Sequence, residues 1–146
     1  MITRYAEFEE LPLVFAMYVE ALEEIGEKVV EQKALDMVVK CWSKAPCILL
    51  EKDGEIVGFS GLNTMDIPYN DMVVLRDYMF YIQPAHRGIR SWRTLCKAVK
   101  DVADNFKIPF VGEHLLTGDY NHHLRLIRMA GAKPRAIQAI YGGINE

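Results

Sequence analysis

The segment YIQPAHRGIRSWRTLCKAV, residues 81–99, places Pro84, Arg87 and Gly88 where an apolar strand pattern gives way to a helical one. A chain that breaks sharply from strand to helix leaves several backbone N–H groups without intrahelical acceptors, all aimed one way and reinforced by the helix dipole. Such a corner binds anions. Gly88 lets a phosphate approach the main chain, and Arg87 adds charge-assisted donors. The chemistry expected here is the grip of a phosphate by the amides of residues 87–92.

That corner needs a strand before it and a long helix after it. An apolar strand from about Met72 or Val73 to Gln83 is closed by Pro84, and from Ser91 the positions Trp92, Leu95, Cys96, Val99, Val102, Ala103 and Phe106 trace one helical face. Upstream, Ile2 to Tyr5 reads as a strand. Val14, Met17, Tyr18, Ala21, Leu22 and Ile25 then recur at helical spacing until Gly26, and Val30 to Ala45 repeat the period until Pro46. Cys47–Glu51 and Ile56–Leu62 flank an Asp53-Gly54 turn and form a hairpin. Asn63 to Asp71 reads as a loop, Ile108 to Leu116 as a strand, His123 to Met129 as a short helix with Gly131 as its cap, and Arg135 to Tyr141 as a last strand. The order is β-α-α-β-β-β-α-β-α-β. With no repeat or linker, residues 1–146 are expected to form one α/β (α+β) domain.

Composition narrows the partners. A net charge of −3 gives no general attraction to nucleic acid, although basic residues crowd Arg87 to Lys100 and the early helices are acidic. Three cysteines without CxxC spacing argue against a disulfide framework or a zinc site, and Cys41 and Cys96 fall on apolar helix faces. The adjacent pair His122-His123 diverges in direction and suits a cap or surface role better than a metal site. The first residues lack a basic stretch followed by an apolar run, and no apolar stretch approaches the ~20 residues of a membrane span. A cytoplasmic protein with no metal is the expectation.

The element order and the Pro84, Arg87, Gly88 turn, with Ile82 before it and Leu95 after it, resemble the GNAT superfamily of acyl-CoA N-acyltransferases. The second and third glycines of that family's common RGxGxG pattern fall at Arg90 and Trp92, and the RGxR form resembles phage-encoded members. The segment GDYNHHLRLIRMAGAKP resembles the family's last helix, with Tyr120 and Asn121 in the loop before it. This resemblance implies a three-layer fold, a mixed and mostly antiparallel sheet of about six strands flanked by four helices. It also implies acetyl-CoA or another acyl-CoA held by Ile82, Arg87, Gly88, Ile89, Arg90, Ser91, Trp92 and Asn121.

The implied reaction is acyl transfer to an amine of a small molecule or a protein, which needs a neutral amine, a donor for the developing oxyanion and a proton for the leaving thiolate. A backbone N–H near Ile82 is the expected oxyanion donor. Glu113 and Asp77 are the candidate bases, and Tyr120, Tyr81 and Tyr141 the candidate acids, because the family's usual tyrosine falls near Ile127. A fold relic that serves as an interaction or virion-associated module is the alternative, and a homodimer is a candidate state because dimers are common among proteins resembling this one.

Overall fold

Residues 1–112, with Asn121, Arg125, Arg128 and Met129, are described by the computed structural model. Eight elements follow in chain order: β1 (Ile2–Tyr5), α1 (Leu11–Glu24), α2 (Glu31–Trp42), β2 (Cys47–Lys52), β3 (Glu55–Asp66), β4 (Val73–Ile82), α3 (Ile89–Phe106) and β5 (Phe110–Val111). Asn121, Arg125, Arg128 and Met129 are also helical. The strands lie side by side in the order β1-β2-β3-β4-β5. The first three pairings are antiparallel and β4 with β5 is parallel, the crossover being made by α3. Asp53 (φ 53°) and Gly54 (φ 84°) supply the two positive angles that a right-twisted hairpin requires between β2 and β3.

Each face of the sheet is covered. On one side Val14, Met17, Tyr18 and Ala21 of α1 and Val38 of α2 close over Leu49, Phe59, Met79 and Tyr81. On the other, Leu95, Val99, Val102 and Ala103 of α3 close over Ile48, Leu50, Leu62, Leu75 and Ile82. The chain therefore adopts the expected three layers, a mixed and mainly antiparallel sheet between helices. Lys107 in the left-handed conformation ends α3, and the Ile108 N–H returns to the Ala103 carbonyl at 3.2 Å.

Several expected boundaries are corrected. Asn63 to Asp66 are strand rather than loop, because they pair with Val73 to Arg76 and prolong the β3–β4 ladder past the apolar run. The second helix runs from Glu31 to Trp42, shorter than Val30 to Ala45. The third starts at Ile89, two residues before Ser91. The strand expected from Ile108 begins at Phe110, since the Ile108 amide is spent in capping α3, and Gly112 lies beyond it. Asn121 is helical rather than part of a preceding loop. The expected strand Arg135 to Tyr141 and the Gly131 cap lie outside the described residues, so five of the six expected strands are described.

β4 carries an irregularity that matters for the site. Gly61 pairs with Met79 while Leu62 pairs with Asp77, so Tyr78 is an extra residue without a partner in register. The bulge sends both Tyr78 and Met79 to the α1–α2 side, and it leaves Phe80 and Ile82 on the α3 side. The Tyr78 ring lies where a Cβ on Gly61 would stand, which explains a glycine in mid-strand. Tyr18 meets the same ring edge-on, with centroids 5.8 Å apart.

Candidate functional site

After β4 a short 3-10 turn, Pro84–His86, redirects the chain into α3. Gly88 is the extended residue before the helix (φ 163°, ψ 168°), and the first helical bond runs from the Trp92 N–H to the Gly88 carbonyl at 3.0 Å. Among the described residues nothing accepts from the amides of Gly88, Ile89, Arg90 or Ser91, and no side chain caps them. Four N–H groups thus converge at the positive end of an 18-residue helix. The space where a Gly88 side chain would stand is open to 4 Å.

The neighbouring side chains keep clear of that corner. Trp92 is half-buried and packs against the core beneath α3, so the bulk at the family's third glycine position points away from the amides. Arg90 is exposed, with no ion pair described. Ser91 is buried and its Oγ donates to the His86 carbonyl at 2.7 Å, which makes its side chain a brace between the 3-10 turn and α3.

The outer edge of β4 leads into this corner. β5 pairs with β4 only at Leu75 and Arg76, so among the described strands none pairs with that edge from Asp77 to Ile82. Gln83 donates to the Val57 carbonyl at 2.9 Å. In an antiparallel ladder the groups of successive residues alternate in direction, so Tyr81 faces β3 while the N–H and C=O of Ile82 face the open edge. The Ile82 carbonyl is already occupied, accepting from Arg87 Nε at 2.8 Å. Its N–H remains as a donor on that edge.

The Arg87 guanidinium, expected on a phosphate, is turned the other way. Both of its terminal nitrogens donate to the two carboxylate oxygens of Glu24, at 2.6 Å each, and its carbon lies 5.6 Å from the centre of the Tyr81 ring. Glu24 closes α1 and stands 63 residues away in sequence, and nothing in the local sequence marks it. Tyr81 is buried, and that burial, with Glu20 and Glu24 nearby, pushes its phenol up to about 12.

The Arg87 fork holds the Glu24 carboxyl below its ordinary 4.5. Because the folded value lies under the unfolded one, the stabilisation is complete above about pH 4.5 and is lost as the pH falls through the lowered folded value. An NMR titration should find the Glu24 midpoint below the ordinary range in the wild type and back within it in Arg87→Gln. Equal midpoints would mean that the pair does not form in solution.

Asp77, a candidate base, is fully buried on the α3 face of β4, where it raises the pKa of the Cys96 thiol, although burial of that thiol is the larger cause. Asn121 lines one open cavity with Arg125, Arg128 and Met129, all four of them helical. Glu113, Tyr120 and Tyr141 lie outside the described residues, as do His122 and His123. The structure thus brings Ile82, Arg87 and the Gly88–Ser91 amides to one corner and removes Asp77 from the surface. Cys41 and Cys47 are buried and Cys96 is half-buried. No helix among the described residues is long and apolar enough to cross a membrane.

Comparison of the whole fold with solved structures gives its class. A probable acetyltransferase matches with a TM-score of 0.77 at 15% identity, covering 100% of this chain and 99% of that one. The fold is that of the GNAT acetyltransferases. A predicted acetyltransferase from Clostridium acetobutylicum, solved with acetyl-CoA, matches the GNAT fold of this chain at TM-score 0.77 and 10% identity, covering 99% and 97%. An aminoglycoside 6'-N-acetyltransferase from Acinetobacter haemolyticus matches at TM-score 0.69 and 16% identity, covering 97% of both chains. No protein-family model and no curated protein sequence matches the chain. At these identities the shared GNAT feature is the order and packing of elements.

Proposed function

We propose that this protein is an acyl-CoA-dependent N-acyltransferase that moves an acetyl group from acetyl-CoA to an amine of a small molecule or a protein, acting as one domain over residues 1–146. The observation that carries this reading is the strand β4, whose edge, among the described residues, opens after Arg76 and runs into four amides without acceptors at Gly88–Ser91. The fit to a diphosphate rests on those amides, on the open space at Gly88 and on the inward turn of Trp92. Arg90, at the RGxR position that resembles phage-encoded members, is the exposed cation for a further phosphate.

Bound acyl-CoA supplies a thioester carbonyl already activated toward amines. The chain's own part is to orient and to stabilise. The amides of Gly88 to Ser91 hold negative charge without a counter-ion, because the helix dipole favours it there. The Ile82 N–H is a fixed donor on the open edge, suited to a carbonyl oxygen that gains charge, and a preorganised donor of this kind contributes about 100-fold or more in rate. Glu113 is the proposed base and Tyr120 the proposed acid. Asn121, with Arg125 and Arg128 beside it, is proposed to extend the cofactor site. Asp77, a buried carboxyl on the α3 face of β4, is the alternative base.

The full fold proposed has six strands and four helices, and the protein is proposed to work in the cytoplasm without nucleic acid, a homodimer being the state to test first by light scattering. The decisive experiment incubates the protein with acetyl-CoA and a panel of primary amines, and follows both free thiol and the mass of the amine. Thiol release coupled to a gain of one acetyl group on an amine supports the reading. Binding of acetyl-CoA without turnover of any amine would favour the inactive relic.

A further inference from the structure

We infer that Arg87 is a positioning residue that locks the C-terminal end of β4 to the C-terminal end of α1, and that it does not hold phosphate. The inference rests on the acyltransferase reading of the site. Three residues of two elements, β4 and α1, meet at this one guanidinium: Nε on the Ile82 carbonyl at 2.8 Å, a two-pronged grip on Glu24 at 2.6 Å twice, and the face of Tyr81 at 5.6 Å. Three acceptor oxygens are met by one planar fork whose face is left for the ring, which a guanidinium can achieve and an ammonium cannot.

The contact to Ile82 has a chemical consequence. Its carbonyl shares the open edge with its N–H, and an unoccupied carbonyl there would repel the oxygen that the N–H is to receive. Arg87 covers that carbonyl and fixes the extended backbone on which the N–H direction depends. The contact to Glu24 has a second one. Glu24 is the last residue of α1, directly before the connector 25–30 to α2, so the same side chain sets where the helix end stands beside the strand end. Exposed ion pairs are individually weak, and Arg87 and Glu24 are 42% and 31% exposed. The value of the grip therefore lies in geometry more than in stability.

The test separates this role from phosphate binding by measuring affinity and turnover apart. Calorimetry with CoA, and thiol release from acetyl-CoA with butylamine as acceptor probe, are run on the wild type, Arg87→Lys, Arg87→Gln and Glu24→Gln, each checked for an unchanged far-UV spectrum. The expected result is a CoA Kd within about 3-fold of wild type in all three variants, with kcat down roughly 10- to 100-fold in both Arg87 variants, the size of effect that a misplaced donor produces. Glu24→Gln should fall in the same direction, and its combination with Arg87→Gln should be no worse than Arg87→Gln alone. A CoA Kd raised 10-fold or more in Arg87→Gln and restored in Arg87→Lys would overturn the inference in favour of a phosphate contact. Unchanged kcat in all variants would overturn it as well. Failure of the wild type to bind CoA would instead sink the reading of the whole site, and this inference with it.

Discussion

Acetyl-CoA at about 100 times its Kd should raise the stability of this protein by ~2.7 kcal/mol, since it binds the folded state alone. For a domain of this size that is a rise of roughly 5–11 °C in Tm. The informative comparison is Ile89→Pro. Ile89 is the first residue of α3, 45% exposed, and its amide is one of the four without an acceptor. Proline is well accepted at a first helical position, and Gly88 before it is already extended, so the substitution deletes one N–H and leaves the helix standing. The unliganded Tm should stay within about 2 °C, because an exposed site without packing rarely moves stability by more than ~0.5 kcal/mol.

The loss should appear only with ligand. A hydrogen bond to a charged group contributes about 1.5–3 kcal/mol, so the variant's Kd should rise by ~10- to 100-fold. The same acetyl-CoA concentration then stands at only about 1–10 times Kd, and the stabilisation shrinks to ~0.4–1.4 kcal/mol. A variant that keeps the full thermal shift would show that the Ile89 amide does not face the cofactor, and the anion corner would have to be placed elsewhere.

That corner was legible in the sequence because its cause is local. Pro84 ends a strand, Gly88 tolerates the extended turn, and the apolar period from Trp92 starts at once, so strand, break and helix are all written within 20 residues. The order of elements follows from equally local patterns, and the three layers from the resemblance of that order to the GNAT superfamily. What escaped was set by pairing across the chain. Asn63 to Asp66 have loop-like side chains and are strand only because Val73 to Arg76 lie beside them. The bulge at Tyr78 breaks the alternation of β4, so Tyr78, Met79 and Tyr81 share a face that simple period-two counting divides. The redirection of Arg87 depends on Glu24, brought close only by packing of α1 on the sheet, just as the placement of Trp92 against the core depends on the sheet beneath α3.

The largest loss of stability is expected from Leu95→Ala. Leu95 has no exposed surface, stands about one turn beyond Ser91 in α3, and belongs to the core cluster that holds Ile82 and the inner faces of β2 and β3. Truncating a buried leucine costs about 2–5 kcal/mol, because the surroundings relax only partly into the space left. At roughly 2–4 °C per kcal/mol, Tm should fall by about 4–20 °C. Lys97→Ala, two residues along the same helix, is the control. Lys97 pairs with Asp101 on the solvent side, with 76% and 53% exposure, and its loss should cost no more than ~0.5 kcal/mol. Urea unfolding of the two variants measures both values. A Leu95→Ala cost under about 1 kcal/mol would mean that α3 does not press on the sheet through this side chain. The amides of Gly88 to Ser91 are untouched by either substitution, so each variant that folds should still gain stability from acetyl-CoA. The ligand adds its binding free energy to whatever stability the core provides, and a helix entrance fixed by the chain's own bond geometry keeps its donors aligned while the face behind it loosens.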